Sequence, residues 1–341
     1  MEVFWTILIF GFLLAYAVGY LYLSNKLSHV TDNDPGVAHS DVSVRTWTVS
    51  VSRLNMQRLL GAVWLIDGLL QLKPQMFTSA FLQQVVLPMS QGQPQWLAAM
   101  VKWGASLELP QMVLWNTLFA FIQMAIGLAL VVNFRAKKAI IVSLVWSLFV
   151  WVFGEGAGQL LTGQSLLISG APGAVLIYGL LGIVIYPRRE AESREWSNSS
   201  IRVAQVSFAL LLMVGAVLHL QAVYLTPTGL SQAVALPWLA KSIGTGGIPV
   251  SMLLAAIELG LGLMMWWKIQ VRLAMWTSVV LFFLYWWMGQ GFGQIAQPLA
   301  TDFNSGLVMM LLAICCQPEL VRWQATQPLQ QSTVHNPASG H

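Results

Sequence analysis

The chain has 341 residues, of which 57% are hydrophobic and 9% charged, with a mean hydropathy of +0.67 and a net charge of +4. An ordinary globular domain is about 25% charged, so this chain cannot clothe a water-facing surface, and a soluble enzyme is excluded. The low charge makes the lipid bilayer the expected solvent, and the basic residues, which gather on one side of the predicted topology as shown below, read as an insertion signal rather than a nucleic-acid footprint.

A spanning helix needs about 20 mostly apolar residues. Nine such runs follow one another, at 3–24, 55–73, 109–133, 137–154, 169–187, 201–225, 248–267, 271–289 and 303–317. The pattern predicts an all-α polytopic membrane protein with about nine transmembrane helices. The first run begins "MEVFW", carries Glu2 and has no basic n-region, while "SNKLSH" follows it. Those are the flanks of a retained anchor rather than a cleaved signal peptide. Residues 31–53 read as an inside loop. Between the second and third runs, and again between the sixth and seventh, lie outside excursions at 74–108 and 226–247. Their amphipathic stretches "QWLAAMVKW" and "LSQAVALPWLAKSIG" predict short helices on the membrane surface. The tail, 318–341, is polar and contains proline, and is predicted to be disordered.

Nine spans starting outside place the C-terminus in the cytoplasm. All the basic residues but Lys73, Lys102 and Lys241, among seventeen, then fall on or beside inside segments. Lys and Arg remain preferentially on the cytoplasmic side of an inserted chain, so the basic bias agrees with this orientation.

The chain also repeats itself. At a constant shift of 135 residues Gln123 falls on Glu258, Gly127 on Gly262, Lys137 on Arg272, Trp151 on Trp286, Gly154 on Gly289, Glu155 on Gln290 and Gln159 on Gln294. The glycine-punctuated "FGEGAGQLLTG" at 153–163 thus recurs as "MGQGFGQIAQP" at 288–298. Earlier parts correspond more loosely, around Gly68 and Gly215. The predicted organisation is an anchor helix and loop (1–54), a four-helix unit (55–187), a polar linker (188–200), a second four-helix unit (201–317) and the tail. Both units enter from the same side, which makes the repeat parallel.

Arg58, Gly61, Asp67-Gly68 and Lys73 in the first unit, with "ELGLGLMMWWKIQVRLAM" at 258–275 in the second, resemble the DoxX/DoxD family of four-helix membrane proteins. The resemblance covers both units. It implies a membrane subunit of a redox assembly linked to quinone or a sulfur compound such as thiosulfate, in a bacterial or archaeal cytoplasmic membrane, working beside a redox partner subunit. The chain departs from the family by being doubled, by its anchor, and by Gln123 where the family glutamate would fall.

An ionisable side chain at mid-membrane costs roughly 2.5–3.5 kcal/mol, so those within or at the ends of the runs are the candidate ligand- or proton-binding residues. They are Asp67, with Gln71 one turn on, Glu155, Gln159, His219, Glu258, Gln290 and Gln294. Each also serves a plainer reading, as an interhelical hydrogen-bonding group. The glycine runs are too dense for a helix interior and read in two ways, as capped helix ends that pack closely or as two wet mouths at the outer face. Asp302 reads as a helix cap. Cys315 and Cys316 are adjacent, and no Cys/His cluster, metal site, intrinsic cofactor or nucleophile–base pair is legible, so the catalytic residues are unassigned. Three functions stay open: the redox-associated subunit, a transporter using the cleft between repeats, and a non-catalytic scaffold.

Overall fold

A computed structural model describes residues 42–187 and 195–328. The predicted anchor at 3–24, most of the linker and the end of the tail lie outside the described residues. Within them the chain is mostly helical. Helix α1 (Arg53–Leu70) starts at Ser52, whose hydroxyl accepts the Asn55 N–H at 3.1 Å. Next come the outer helix α2 (Gln95–Glu108), then α3 (Met112–Val131), α4 (Ala136–Phe153) and the short α5 (Ala174–Ile185). The second half holds α6 (Asn198–Leu218), the surface helix α7 (Pro237–Ile243), α8 (Gly247–Trp266), α9 (Val271–Leu284) with a π-turn to Gly289, and the short α10 (Ser305–Cys316).

Every run predicted between 55 and 317 contains a helix, but five segments are long and apolar enough to cross a membrane. Helix α1 carries Arg53, Arg58 and Asp67, a heavy load of charge for a span. Helices α5 and α10 have 12 residues each. At about 1.5 Å per residue each is about 18 Å long, against a hydrocarbon core of about 30 Å. Their predicted spans, 169–187 and 303–317, are therefore shortened, because irregular backbone occupies the start of each. Helices α2 and α3 run almost end to end, but at Gln111 φ is −138° and ψ 46°, which breaks the helix after Pro110 and turns the outer piece away from the span.

The layering follows hydrophobicity. Helices α5 and α10 are buried nearly all round and form the centre, packing against each other and against α6. The long helices surround them, α1 on α3 and α6 on α8. Their outward faces carry Phe121, Val145, Val217 and Leu253 at 60–66% exposure. Window 136–153 has a hydropathy of 1.7 yet is only 17% buried. An apolar helix so exposed needs a lipid solvent, and the chain reads as a membrane protein on this ground.

The fold is not purely helical. Strand β1 (Val42–Ser50) pairs antiparallel with β2 (Glu319–Pro328), from Val42 opposite Pro328 to Ser50 opposite Glu319. This corrects the expected loop at 31–53 and the expected disorder at the start of the tail. The alternating Val/Thr pattern of "VSVRTWTVS" is strand-like, but its partner lies at the far end of the chain and only tertiary structure brings them together.

The shift of 135 is visible in the backbone. Left-handed residues recur in pairs: Asn133 with Lys268, Arg135 with Gln270, Gly156 with Gly291, Ala157 with Phe292, Gly158 with Gly293, and Gln159 with Gln294. Side-chain bonds repeat as well. Trp151 Nε1 donates to the Pro172 carbonyl at 2.8 Å, and Trp286 Nε1 to the Phe303 carbonyl at 2.6 Å. The first helices match at a shift of 148, one residue off the Gly68/Gly215 alignment, since α1 ends in the C-cap Gln71 and α6 in the C-cap His219.

Candidate functional site

The glycine runs have a definite structural task. After α4 the chain turns through left-handed residues 156–159, where a Cβ on Gly158 would collide with the Pro172 carbonyl. This sharp turn aims Glu155 at the start of α5. Its Oε1 accepts the N–H groups of Ala174 at 3.1 Å and Val175 at 3.4 Å. In the second half Gln290 does the same, its Oε1 accepting the Gly306 N–H at 2.9 Å at the start of α10. Unfilled N–H groups and the positive dipole end of a helix both favour such an oxygen.

The two sites differ in the second atom. Gln290 Nε2 donates to the Leu167 carbonyl at 3.1 Å and to Ser305 Oγ at 3.3 Å. Glu155 Oε2 has no partner. Glu155 itself lines a cavity of about 640 Å³. Trp64, Asp67, Gln71 and Gln123 form its inner wall, and segment 81–92 covers it from one side. That cover is tied down by Gln159 Nε2 to the Met89 carbonyl (2.8 Å) and by Gln93 Nε2 to the Gly156 carbonyl (2.7 Å). Thr301, Asp302 and Asn304 reach in from the second half and complete the lining.

Three carboxyl groups thus face one cavity. Asp67 is 3% exposed, and its Oδ1 has no hydrogen-bond partner. Glu155 and Asp302 are half-buried, with the cavity at their open side. Burial foremost, then the charge of Asp302, pushes the Glu155 carboxyl well above its usual range, against the lowering pull of the Val175 and Ala174 N–H groups. Burial also raises Asp302, opposed by the bonds from Thr301 and Asn304. Among the described residues, no Lys, Arg or His lines the space. Such a site can hold protons, hydrogen-bond donors or a cation.

A second polar cluster lies in the other half and is closed. His219 Nδ1 is 2.7 Å from Ser251 Oγ, and His219 Nε2 is 3.6 Å from Glu258 Oε1. The Tyr285 hydroxyl donates to Glu258 Oε1 at 2.6 Å. Glu258 and Ser251 are fully buried, and none of the four lines the cavity. The cluster maps onto the first half position by position. His219 answers to Gln71 and Ser251 to Asn116, which donates to the Gln71 carbonyl at 2.7 Å. Glu258 answers to Gln123, and Gly215 to Asp67. Each half therefore keeps one carboxyl between its first two helices, on the second helix in one half and on the first in the other. Glu258 lies against Gly215, where a Cβ would meet both its Oε2 and Leu167.

The predicted residues accordingly divide. Asp67, Gln71, Glu155 and Gln159 come together at the cavity, whereas His219 and Glu258 form the closed cluster. Gln290 is 3% exposed and fully used in capping, and Gln294 is exposed away from the cavity. The two glycine turns are not equivalent: Gln290 satisfies both its polar atoms in packing the second half, as the capping reading expects, where Glu155 leaves one atom free. Asp302 is more than a cap. Asn304 takes the N-cap position of α10, and Asp302 Oδ1 accepts the Asn304 N–H, leaving its carboxyl beside the cavity. Ahead of α5, Ser169 Oγ donates to the Leu166 carbonyl. Sequence reasoning missed Gln123 as a lining residue, and also Tyr178, whose hydroxyl lies beside the Asp67 carboxyl. Nothing in a buried "LIYGL" run marks that tyrosine. Comparison with protein-family models, with curated proteins and with solved structures returned no match.

Proposed function

We propose that the chain is an integral membrane subunit of a redox assembly, of the kind the DoxX/DoxD resemblance implies, and that the cavity takes a quinone head group. On this reading the membrane is a bacterial or archaeal cytoplasmic one, crossed about nine times, with the N-terminus outside and the C-terminus in the cytoplasm. The cavity then opens toward the outer face, and electrons are exchanged with a redox partner subunit.

The observation that carries the reading is the lining of the cavity. Trp64, Phe81 and Val85 offer apolar walls to a flat ring, and Asp67, Gln71, Gln123 and Glu155 offer a polar rim. A volume of about 640 Å³ lies within the usual range of small-molecule sites, roughly 300–1,000 Å³. Carboxyl groups that burial raises above their ordinary range, as it does Glu155 and Asp302, can take up and release protons, as quinone chemistry requires. The same lining disfavours thiosulfate or any other sulfur oxyanion, which would face three acids and no cation.

Lipid extraction of protein purified in mild detergent, followed by mass spectrometry, tests the proposal. A stoichiometric quinone that is lost in Asp67→Asn supports it. No copurifying quinone, together with no binding of added quinone, contradicts it. The three acids at the junction of the halves also favour a second reading, a carrier for a small cation, for which uptake into vesicles abolished by Asp67→Asn is the expected sign.

A further inference from the structure

Tyr178 is wholly buried on α5 and does not line the cavity, yet it adjoins two residues that do. Its ring meets Trp64 edge-on, with centroids 4.8 Å apart and planes at 77°. Trp64 is fixed in turn from α4, its Nε1 donating to Ser143 Oγ at 2.9 Å. Asp67 stands one turn on from Trp64 along α1, so the two share a face of that helix, and the Tyr178 hydroxyl lies beside the Asp67 carboxyl. That hydroxyl has no hydrogen-bond partner, and neither has Asp67 Oδ1. A buried polar group left unmet is costly, and one bond between these two satisfies both. The second half makes such a bond, the Tyr285 hydroxyl donating to Glu258 Oε1 at 2.6 Å.

The sense of the bond follows from what each group can spare. Among the described residues no Lys, Arg or His lines the cavity, and an enclosed carboxylate without a cation is costly. Asp67 is therefore held as the acid, with one carbonyl oxygen and one O–H. If the acid donated to the tyrosine, the Tyr178 O–H would still be left without an acceptor. If the tyrosine donates, its own proton is met and Asp67 keeps its O–H for the cavity that it lines. We infer that Tyr178 is a positioning residue, whose hydroxyl donates to Asp67 Oδ1 and so leaves the Asp67 O–H on the oxygen that meets a carbonyl of the ligand. The inference rests on the quinone reading above and adds to it the atoms that meet the ring. Asp67 donates to a quinone carbonyl, and Tyr178 decides which Asp67 oxygen carries the proton.

Infrared spectroscopy and equilibrium dialysis of the full chain in lipid nanodiscs test this, with a short-chain benzoquinone as the probe. Tyr178→Phe removes the hydroxyl and keeps the ring against Trp64, so the fold is retained. Loss of a hydrogen bond accepted by a carboxyl C=O raises its stretching frequency. The Asp67 band, assigned by its disappearance in Asp67→Asn, is therefore expected to move up in Tyr178→Phe. Asp67→Glu assigns the band by displacing it if Asp67→Asn does not fold. Quinone binding is expected to weaken about fivefold in Tyr178→Phe, the worth of about one hydrogen bond, since the Asp67 O–H is then free to sit on either oxygen. A tyrosine that only fills space would move neither readout. An unmoved band or an unchanged affinity overturns the inference and leaves the quinone site standing. Failure of the parent to bind the probe overturns the quinone reading instead, and the band alone then decides whether Tyr178 positions Asp67.

Discussion

Glu155 has two duties, capping α5 and facing the cavity, and substitution separates them. Its Oε1 meets the N–H groups of Ala174 and Val175. Glu155→Ala strips both, and an unmet buried N–H costs about 1–3 kcal/mol, while loss of a capping side chain costs about 0.5–2 kcal/mol. The two ranges describe the same bonds, so the expected loss is about 2 kcal/mol. Glu155→Gln keeps the capping oxygen, as Gln290 does toward Gly306 at 2.9 Å, so the expected change near neutrality is within about 0.5 kcal/mol. The two variants also differ in their pH dependence. The folded protein raises the Glu155 pKa by burial and by the nearby Asp302, so the native state holds that proton more firmly than the unfolded chain. Its stabilising effect is complete below the ordinary glutamate range and fades as pH rises toward the raised value. Asp302, raised by burial, and Asp67, also at the cavity, remain in both proteins. Thermal unfolding in nanodiscs between about pH 5 and about pH 9 is therefore expected to show Glu155→Gln gaining on the parent as pH rises. The reasoning is refuted if Gln harms the fold as much as Ala, or if the parent gains on Gln with rising pH.

Other consequences follow from the turns and from the paired clusters. Gly158→Ala drives a methyl into the Pro172 carbonyl, whereas Gly163, also left-handed at φ 73°, has nothing within 4 Å. Expression and thermal unfolding should show Gly158→Ala close to abolishing the fold and Gly163→Ala costing about 1 kcal/mol. Asp67→Gly with Gln123→Glu rebuilds the Gly215/Glu258 arrangement in the first half. Each single change is expected to destabilise, and the double variant to recover about 1 kcal/mol in a double-mutant cycle; simple additivity would count against the equivalence. Cysteines introduced at Ser197 and at Gln91 test the proposed orientation, since a membrane-impermeant thiol reagent should label Gln91→Cys in intact cells and Ser197→Cys only after lysis. Labelling from the opposite sides would invert the topology.

Much of the architecture could be read from runs and spacing. Twenty apolar residues in a row have few options, and the helices around α1, α3, α4, α6, α8 and α9 follow. Helices α5 and α10 were overextended because apolarity marks burial as well as spanning, and "SGAPG" is apolar without being helical. The turns after α4 and α9 were legible through Gly156, Gly158, Gly291 and Gly293. Their left-handed companions Ala157, Gln159, Phe292 and Gln294 carry no such mark, since tertiary packing imposes that conformation on side chains that do not favour it. Polar residues inside apolar runs pointed to Asp67 and Glu258, but sequence could not tell an open site from a closed one. That depends on whether Glu155 or Gln290 finds a second partner across the halves. Asp302 stayed hidden because its capping bonds explain it locally, and its place beside the cavity depends on the packing of one half on the other. The pairing of β1 with β2 was illegible for the same reason.

The central claim is that the cavity framed by Asp67, Glu155 and Asp302 is where the ligand sits, and a photoreactive quinone with mapping of the labelled peptides tests it most directly. The account predicts labelling in segment 81–92 and at Trp64, competed by unlabelled quinone and reduced in Asp67→Asn. Saturable labelling confined to the His219–Glu258 side, or to the outward faces of α4 and α8, would contradict it.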